Sequence, residues 1–188
     1  MKHFEVEIEG KVPLLMHRYC GEQPSAEKAP RGKKTQEHID ARRIKDWTES
    51  AYYLEGRGFH IPPENIEAAL AAGATKFRMG KDFKGAVAVE DDFIPLLIPN
   101  SAGTYAPAAK PLKSYYVPDH IDIRGVVIQR IRIDRCRPIF RQWMLQFTVV
   151  TEDTISLKQI EDSLANCQIG DFRPRFGRFT VKKVKEIS

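Results

Sequence analysis

The chain has 188 residues, 42% of them hydrophobic and 10% aromatic, and a formal charge of +5. That length is long for one small α+β domain and short for two, so the expectation is one core carrying insertions. The charge suits an anionic partner but is far from histone-like, and the longest apolar run, 93–98, is broken by Pro95 and too short to span a bilayer. Cys20, Cys136 and Cys167 are widely spaced and include no C-x-x-C pair, which points to reduced thiols in a cytoplasmic protein. The acidic, alternating start of the chain does not read as a signal peptide.

Phe4, Val6 and Ile8 alternate with Glu5, Glu7 and Glu9, the period-two pattern of a half-buried strand. The run resumes after Gly10 through Val12, Pro13, Leu14, Leu15 and Met16, with a bend imposed by Gly10 and Pro13. Residues 18–34 read as a loop rich in Pro, Gly and charge. Residues 35–54 read as a helix, with Ile39, Arg43, Trp47 and Ala51 at helical spacing and Thr35 or Asp40 as its cap. Phe59, His60 and Ile61 form a short extended piece that runs into Pro62 and Pro63. Two prolines suit the first turn of a helix because no amide donor is needed there. Ile66, Ala69 and Leu70 give that helix its apolar stripe, and Gly73 reads as its stop.

Residues 76–84 read as a basic turn, and 86–89 with 93–98 as a hairpin closed by Glu90, Asp91 and Asp92. Residues 99–119 hold Pro99, Pro107, Pro111 and Pro118 without periodicity, the mark of a functional or disordered insertion. Residues 126–135 and 139–151 read as two strands joined by a turn at Pro138, the second with Trp143, Leu145, Phe147 and Val149 on its core face. Ser156 and Gln159 form a capping-box pattern that opens a helix with Ile160 and Leu164 inward. A last strand over 178–184 leaves a segment bracketed by Gly170 and Gly177. Strand, helix, strand, strand, helix, strand is the ferredoxin-like (RRM-like) β-α-β-β-α-β order. The expected class is therefore α+β, one domain over 1–188 with insertions over about 18–55, 76–98 and 99–119.

Charge is concentrated in the last third. Arg124, Arg130, Arg132, Arg135, Arg137 and Arg141 are opposed there by Asp134 alone, and Arg173, Arg175, Arg178, Lys182, Lys183 and Lys185 by Asp171 alone. A guanidinium fork suits phosphate oxygens and base faces. The expected strand order puts Glu5, Glu7 and Glu9 beside Arg178 and Lys182, so part of this charge should pair across strands. Arg173 and Arg175 lie instead in a glycine-bracketed loop, where function concentrates. His3, His17, His38, His60 and His120 show no i, i+4 metal pair, and neither a P-loop nor Gly-x-Ser-x-Gly occurs. No cofactor or metal is expected. His17 is a candidate for metal-independent acid–base chemistry on RNA.

Three stretches carry a family resemblance: the end of the first strand, Gly10-Lys11-Val12-Pro13-Leu14; the strand, Ile-Pro turn and helix over 59–70; and the glycine-bracketed loop before the last strand. On these the chain resembles the RAMP superfamily, most closely the backbone subunits that polymerise along guide RNA in CRISPR effector complexes. It is also similar to uncharacterised phage-encoded proteins that end in a Gly-Asp-(Phe/Trp)-Arg-Pro-Arg-(Phe/Tyr)-Gly-Arg-Phe segment. Pro63, Glu64 and Asn65 depart from the small and basic residues the family has there. The resemblance implies a non-enzymatic binder of single-stranded nucleic acid, RNA or DNA, able to assemble along it or with a partner complex. Phosphate contacts are then expected from Arg173, Arg175, Arg178, Arg130, Arg132 and Lys81. If 99–119 is a thumb-like projection, Tyr105, Tyr115 and Tyr116 are candidates for base stacking. Two further readings stay open: a protein-interaction module, such as a phage-encoded CRISPR-interfering factor, and a metal-independent endoribonuclease.

Overall fold

The computed structural model describes residues 1–19, 35–128 and 131–187. Within them the protein is α+β, with antiparallel sheets and four α-helices. In chain order the elements are β1 (Lys2–Gly10), β2 (Leu14–Leu15), α1 (Gln36–Glu49), β3 (Tyr53–Leu54), β4 (Gly58–Ile61), α2 (Pro63–Ala74) and α3 (Gly80–Ala86). Then follow β5 (Val87–Val89), β6 (Ile94–Pro95), β7 (Leu97–Pro99), β8 (Tyr105–Pro107), β9 (Ile121–Ile128), β10 (Ile131–Phe140), β11 (Met144–Thr151), α4 (Leu157–Asn166) and β12 (Phe179–Ile187).

The main sheet runs β12-β1-β11-β7-β8, and β5 also pairs with β11. Its centre is set by alternation. Phe4, Val6 and Ile8 from β1 and Trp143, Leu145, Phe147 and Val149 from β11 and the turn before it are all 3% exposed or less. Ile66 and Leu70 of α2 and Ile160 and Leu164 of α4 complete the same core. Each such side chain contributes about 1.5–3 kcal/mol on burial. Helices α2 and α4 pack on each other, and Ser163 Oγ donates to the Leu70 carbonyl at 2.6 Å. Gly73 permits this approach, because a Cβ there would stand 2.2 Å from the Ser163 carbonyl oxygen. It therefore lies in the last turn of α2, which runs on to Ala74, and is not the left-handed glycine cap expected.

Several expected elements hold. Thr35 caps α1, Pro63 opens α2, and both halves of the Ser156–Gln159 capping box form. Others are corrected. β10 continues through Pro138, whose carbonyl accepts from Met16 N at 2.9 Å, and pairs with β9 and β2 in a separate three-stranded sheet. The expected hairpin of 126–135 with 139–151 does not form, because proline at a strand position is tolerated where no amide donor is required. β5 and the run after it also separate. β5 joins β11, β6 joins β4, and Asp91 accepts from Thr148 N at 2.6 Å instead of closing a hairpin. The expected basic turn over 76–84 contains a 3₁₀ turn and α3. The proline-rich insertion is stitched in by β8 and by Tyr115, which is 5% exposed.

Candidate nucleic-acid interface

The glycine-bracketed loop is fixed at both ends by backbone. Asp171 N donates to the Leu15 carbonyl at 2.9 Å, and Gly177 N donates to the Pro13 carbonyl at 3.0 Å. Gly177 has φ +74°, and a Cβ there would lie 1.5 Å from the Ile169 carbonyl oxygen, so only glycine fits. Phe176 completes the anchor, buried with Leu15 and Ile139.

Beneath the loop Arg137, 5% exposed, donates through Nη1 to Asp171 Oδ2 at 2.6 Å. Arg124 grips Asp122 with two bonds of 2.6 and 2.9 Å, and its guanidinium lies 4.7 Å from the Phe176 ring centroid. Arg135 lies 4.0 Å from Asp46. These three arginines are therefore occupied within the fold. The lysines of β12 are occupied as well. Lys183 pairs with Glu5 and Lys182 with Glu9 across the β1–β12 ladder, each at 2.6 Å. These contacts hold both carboxyls below their ordinary range, chiefly through the lysine hydrogen bonds. The cross-strand pairing expected from the acidic face of β1 is present.

Arg173, Arg175 and Arg178 differ. All three are exposed, and none pairs with a described carboxylate. Arg173 makes one weak bond, from Nη1 to the Gln168 carbonyl at 3.5 Å. A cleft of about 200 Å³ opens beside it, lined by residues from four separated segments of the chain. His17 follows β2, Tyr52 precedes β3, Asn65 and Ala68 come from α2, and Gln168, Gly170, Asp171 and Arg173 come from the loop and its approach. Tyr52 Oη donates to the His17 carbonyl at 3.5 Å. Burial, then the nearby positive charge of Arg137, keeps the His17 imidazole below its usual range, so it stands neutral at pH 7.

The remaining expected residues fall elsewhere. Arg130 lies outside the described residues, as does the side chain of Arg132, whose backbone pairs with Val127. Lys81 is exposed on α3 and lines no part of the cleft. Tyr115 is a correction: its ring packs edge-on against Phe59, 5.1 Å between centroids, and its hydroxyl accepts from Lys110 N. No face is left for a base. Tyr116 is half-buried and packs edge-on against Trp47 at 5.4 Å. Tyr52, Asn65 and Gln168 were not singled out from the sequence. Asn65 alone had a local signal, as the departure just after Ile-Pro-Pro.

Among the described residues no group of three or more His, Cys, Asp or Glu could hold a metal ion. No helix among them is long and apolar enough to cross a membrane. No protein-family model and no curated protein matches the chain.

Proposed function

We propose that this protein binds single-stranded nucleic acid, RNA or DNA, without catalysis, gripping the phosphate backbone with Arg173, Arg175 and Arg178. One observation carries the reading: Arg173 and Arg175 on a loop locked by backbone bonds and by Phe176, and Arg178 just after it, are exposed and pair with no carboxylate among the described residues, while their neighbours Arg124, Arg137, Lys182 and Lys183 are already matched. With the loop backbone already fixed, only side-chain freedom remains to be lost when an anion arrives.

The RAMP-like reading draws support from topology. β12-β1-β11-β5 is the neighbour order of a β-α-β-β-α-β sandwich, and α2 and α4 are its two crossover helices. It also draws support from the convergence of the three family-like stretches. Pro13 and Leu15 hold the loop, and α2 faces it across the cleft. On this reading the protein is cytoplasmic and of phage or CRISPR-related type, and can assemble with further copies along the strand.

The test is fluorescence anisotropy with labelled single-stranded RNA and DNA over a range of salt. Binding should weaken steeply with salt as counterions are released. Replacing Arg173, Arg175 and Arg178 by Gln should lower affinity for all sequences alike and reduce the salt slope by about three, one per phosphate contact. Absence of binding to either strand at low salt would overturn the proposal.

A further inference from the structure

We propose that the cleft between His17, Tyr52, α2 and the glycine-bracketed loop receives one unstacked base of the bound strand, while Arg173 holds the phosphate beside it. This rests on the nucleic-acid reading above and gives it a base-contacting site.

The walls are of two kinds. Tyr52 and His17, both aromatic, line the cleft, and a base offers a π-face that stacks on aromatic side chains whatever its identity. Asn65 and Gln168 bring amide heads, each with donors and an acceptor. Neither head makes a hydrogen bond to a described residue, although both side chains are half-buried. That is the equipment needed to read the edge of a splayed-out base. The volume of about 200 Å³ lies below the range that houses drug-sized ligands and suits a single planar ring system.

Other occupants fit less well. An aliphatic ligand would leave two amides unsatisfied. A hard cation needs several oxygen ligands, and the one carboxylate on the wall, Asp171, is taken by Arg137 at 2.6 Å. A base within a duplex keeps its pairing edge engaged, so the site selects single strands.

The experiment is an abasic scan on the shortest strand that saturates the protein, read by anisotropy and run separately on RNA and DNA. Removing the base at one position should lower affinity about tenfold, the loss of one stacked base. The salt slope should not change, because no phosphate contact is lost. Gln168→Ala and Tyr52→Leu should abolish the advantage of that position. In the unmutated protein, 5-bromouracil at that position should crosslink to Tyr52 or His17 under ultraviolet light. A strand that binds with a flat abasic scan, or crosslinks only outside the cleft, overturns the base pocket and leaves the backbone-binding reading standing. If no strand binds at low salt, both fall.

Discussion

Arg137 Nη1 lies 2.6 Å from Asp171 Oδ2, an almost fully buried cation latched to a loop carboxylate that is itself about one-third exposed. The Arg137 Nε finds no partner among the described residues, so this single contact is the main compensation for a desolvated guanidinium. Asp171→Ala removes it and leaves the charge buried. The expected loss is about 2–3 kcal/mol, somewhat below that of a fully enclosed pair because Asp171 reaches water. Urea denaturation measures it, and anisotropy should show weaker oligonucleotide binding as the loop loses its latch. Unchanged stability would mean that Arg137 is solvated.

Lys182 and Lys183 test whether charge alone makes the interface. Both are matched by Glu9 and Glu5, so the pairs present little net field to a phosphate. Removing both pairs whole, with Lys182→Gln, Lys183→Gln, Glu5→Gln and Glu9→Gln together, should leave oligonucleotide affinity close to that of the unmutated protein, in contrast to Arg173, Arg175 and Arg178. An equal loss in both variants would move the interface onto the face of the main sheet.

His60 should impose an acid limb on stability. Burial, helped by the charges of Arg57 and Arg18 and opposed by a backbone hydrogen bond at Gly58, holds its imidazole below the ordinary 6.5. The folded state therefore keeps the ring neutral while the unfolded chain takes up a proton. Stability is full above about pH 6.5 and falls as the pH drops through that value toward the depressed folded pKa. His17 acts in the same direction. Urea denaturation at about pH 5.5 and about pH 7.5 should show a smaller difference for His60→Gln than for the unmutated protein.

Burial pushes the Cys136 thiol up to about 11 and the Cys167 thiol up to about 12. At mildly alkaline pH their thiolate fractions lie on the order of a hundredfold or more below that of a free cysteine. Iodoacetamide labelling followed by peptide mapping should modify neither residue in the native protein and both in urea. Fast native labelling of Cys136 would show that it opens locally.

Much of the scaffold was legible because burial leaves a periodic trace. The alternation of β1, the four inward residues from Trp143 to Val149 and the capping box of α4 each follow from local rules, and the structure has them. Pro138 misled because local chemistry marks where an amide is missing without saying whether the fold needs it there. Tyr115 misled because a proline-rich stretch says nothing of what packs under it, and Phe59 lies 56 residues earlier in the chain. The loop arginines were visible as a cluster. Which cations would be cancelled depended on non-local geometry: Arg137 meets an acid 34 positions away, and Lys183 one 178 away. The cleft was hidden for the same reason, since its walls come from four separated segments.

Gly73 has a reach beyond its own surroundings. It lies about 12 Å along α2 from Asn65 and touches nothing in the cleft, yet its bare Cα sets how close α4 can come. Asn65 rides on one of these helices, and Gln168 follows directly from the other. The calibre of the opening is thus gauged at a remote point, as a spacer fixes the jaws of a clamp. Gly73→Ala should prise the jaws apart and loosen grip on a base while every gripping group stays intact.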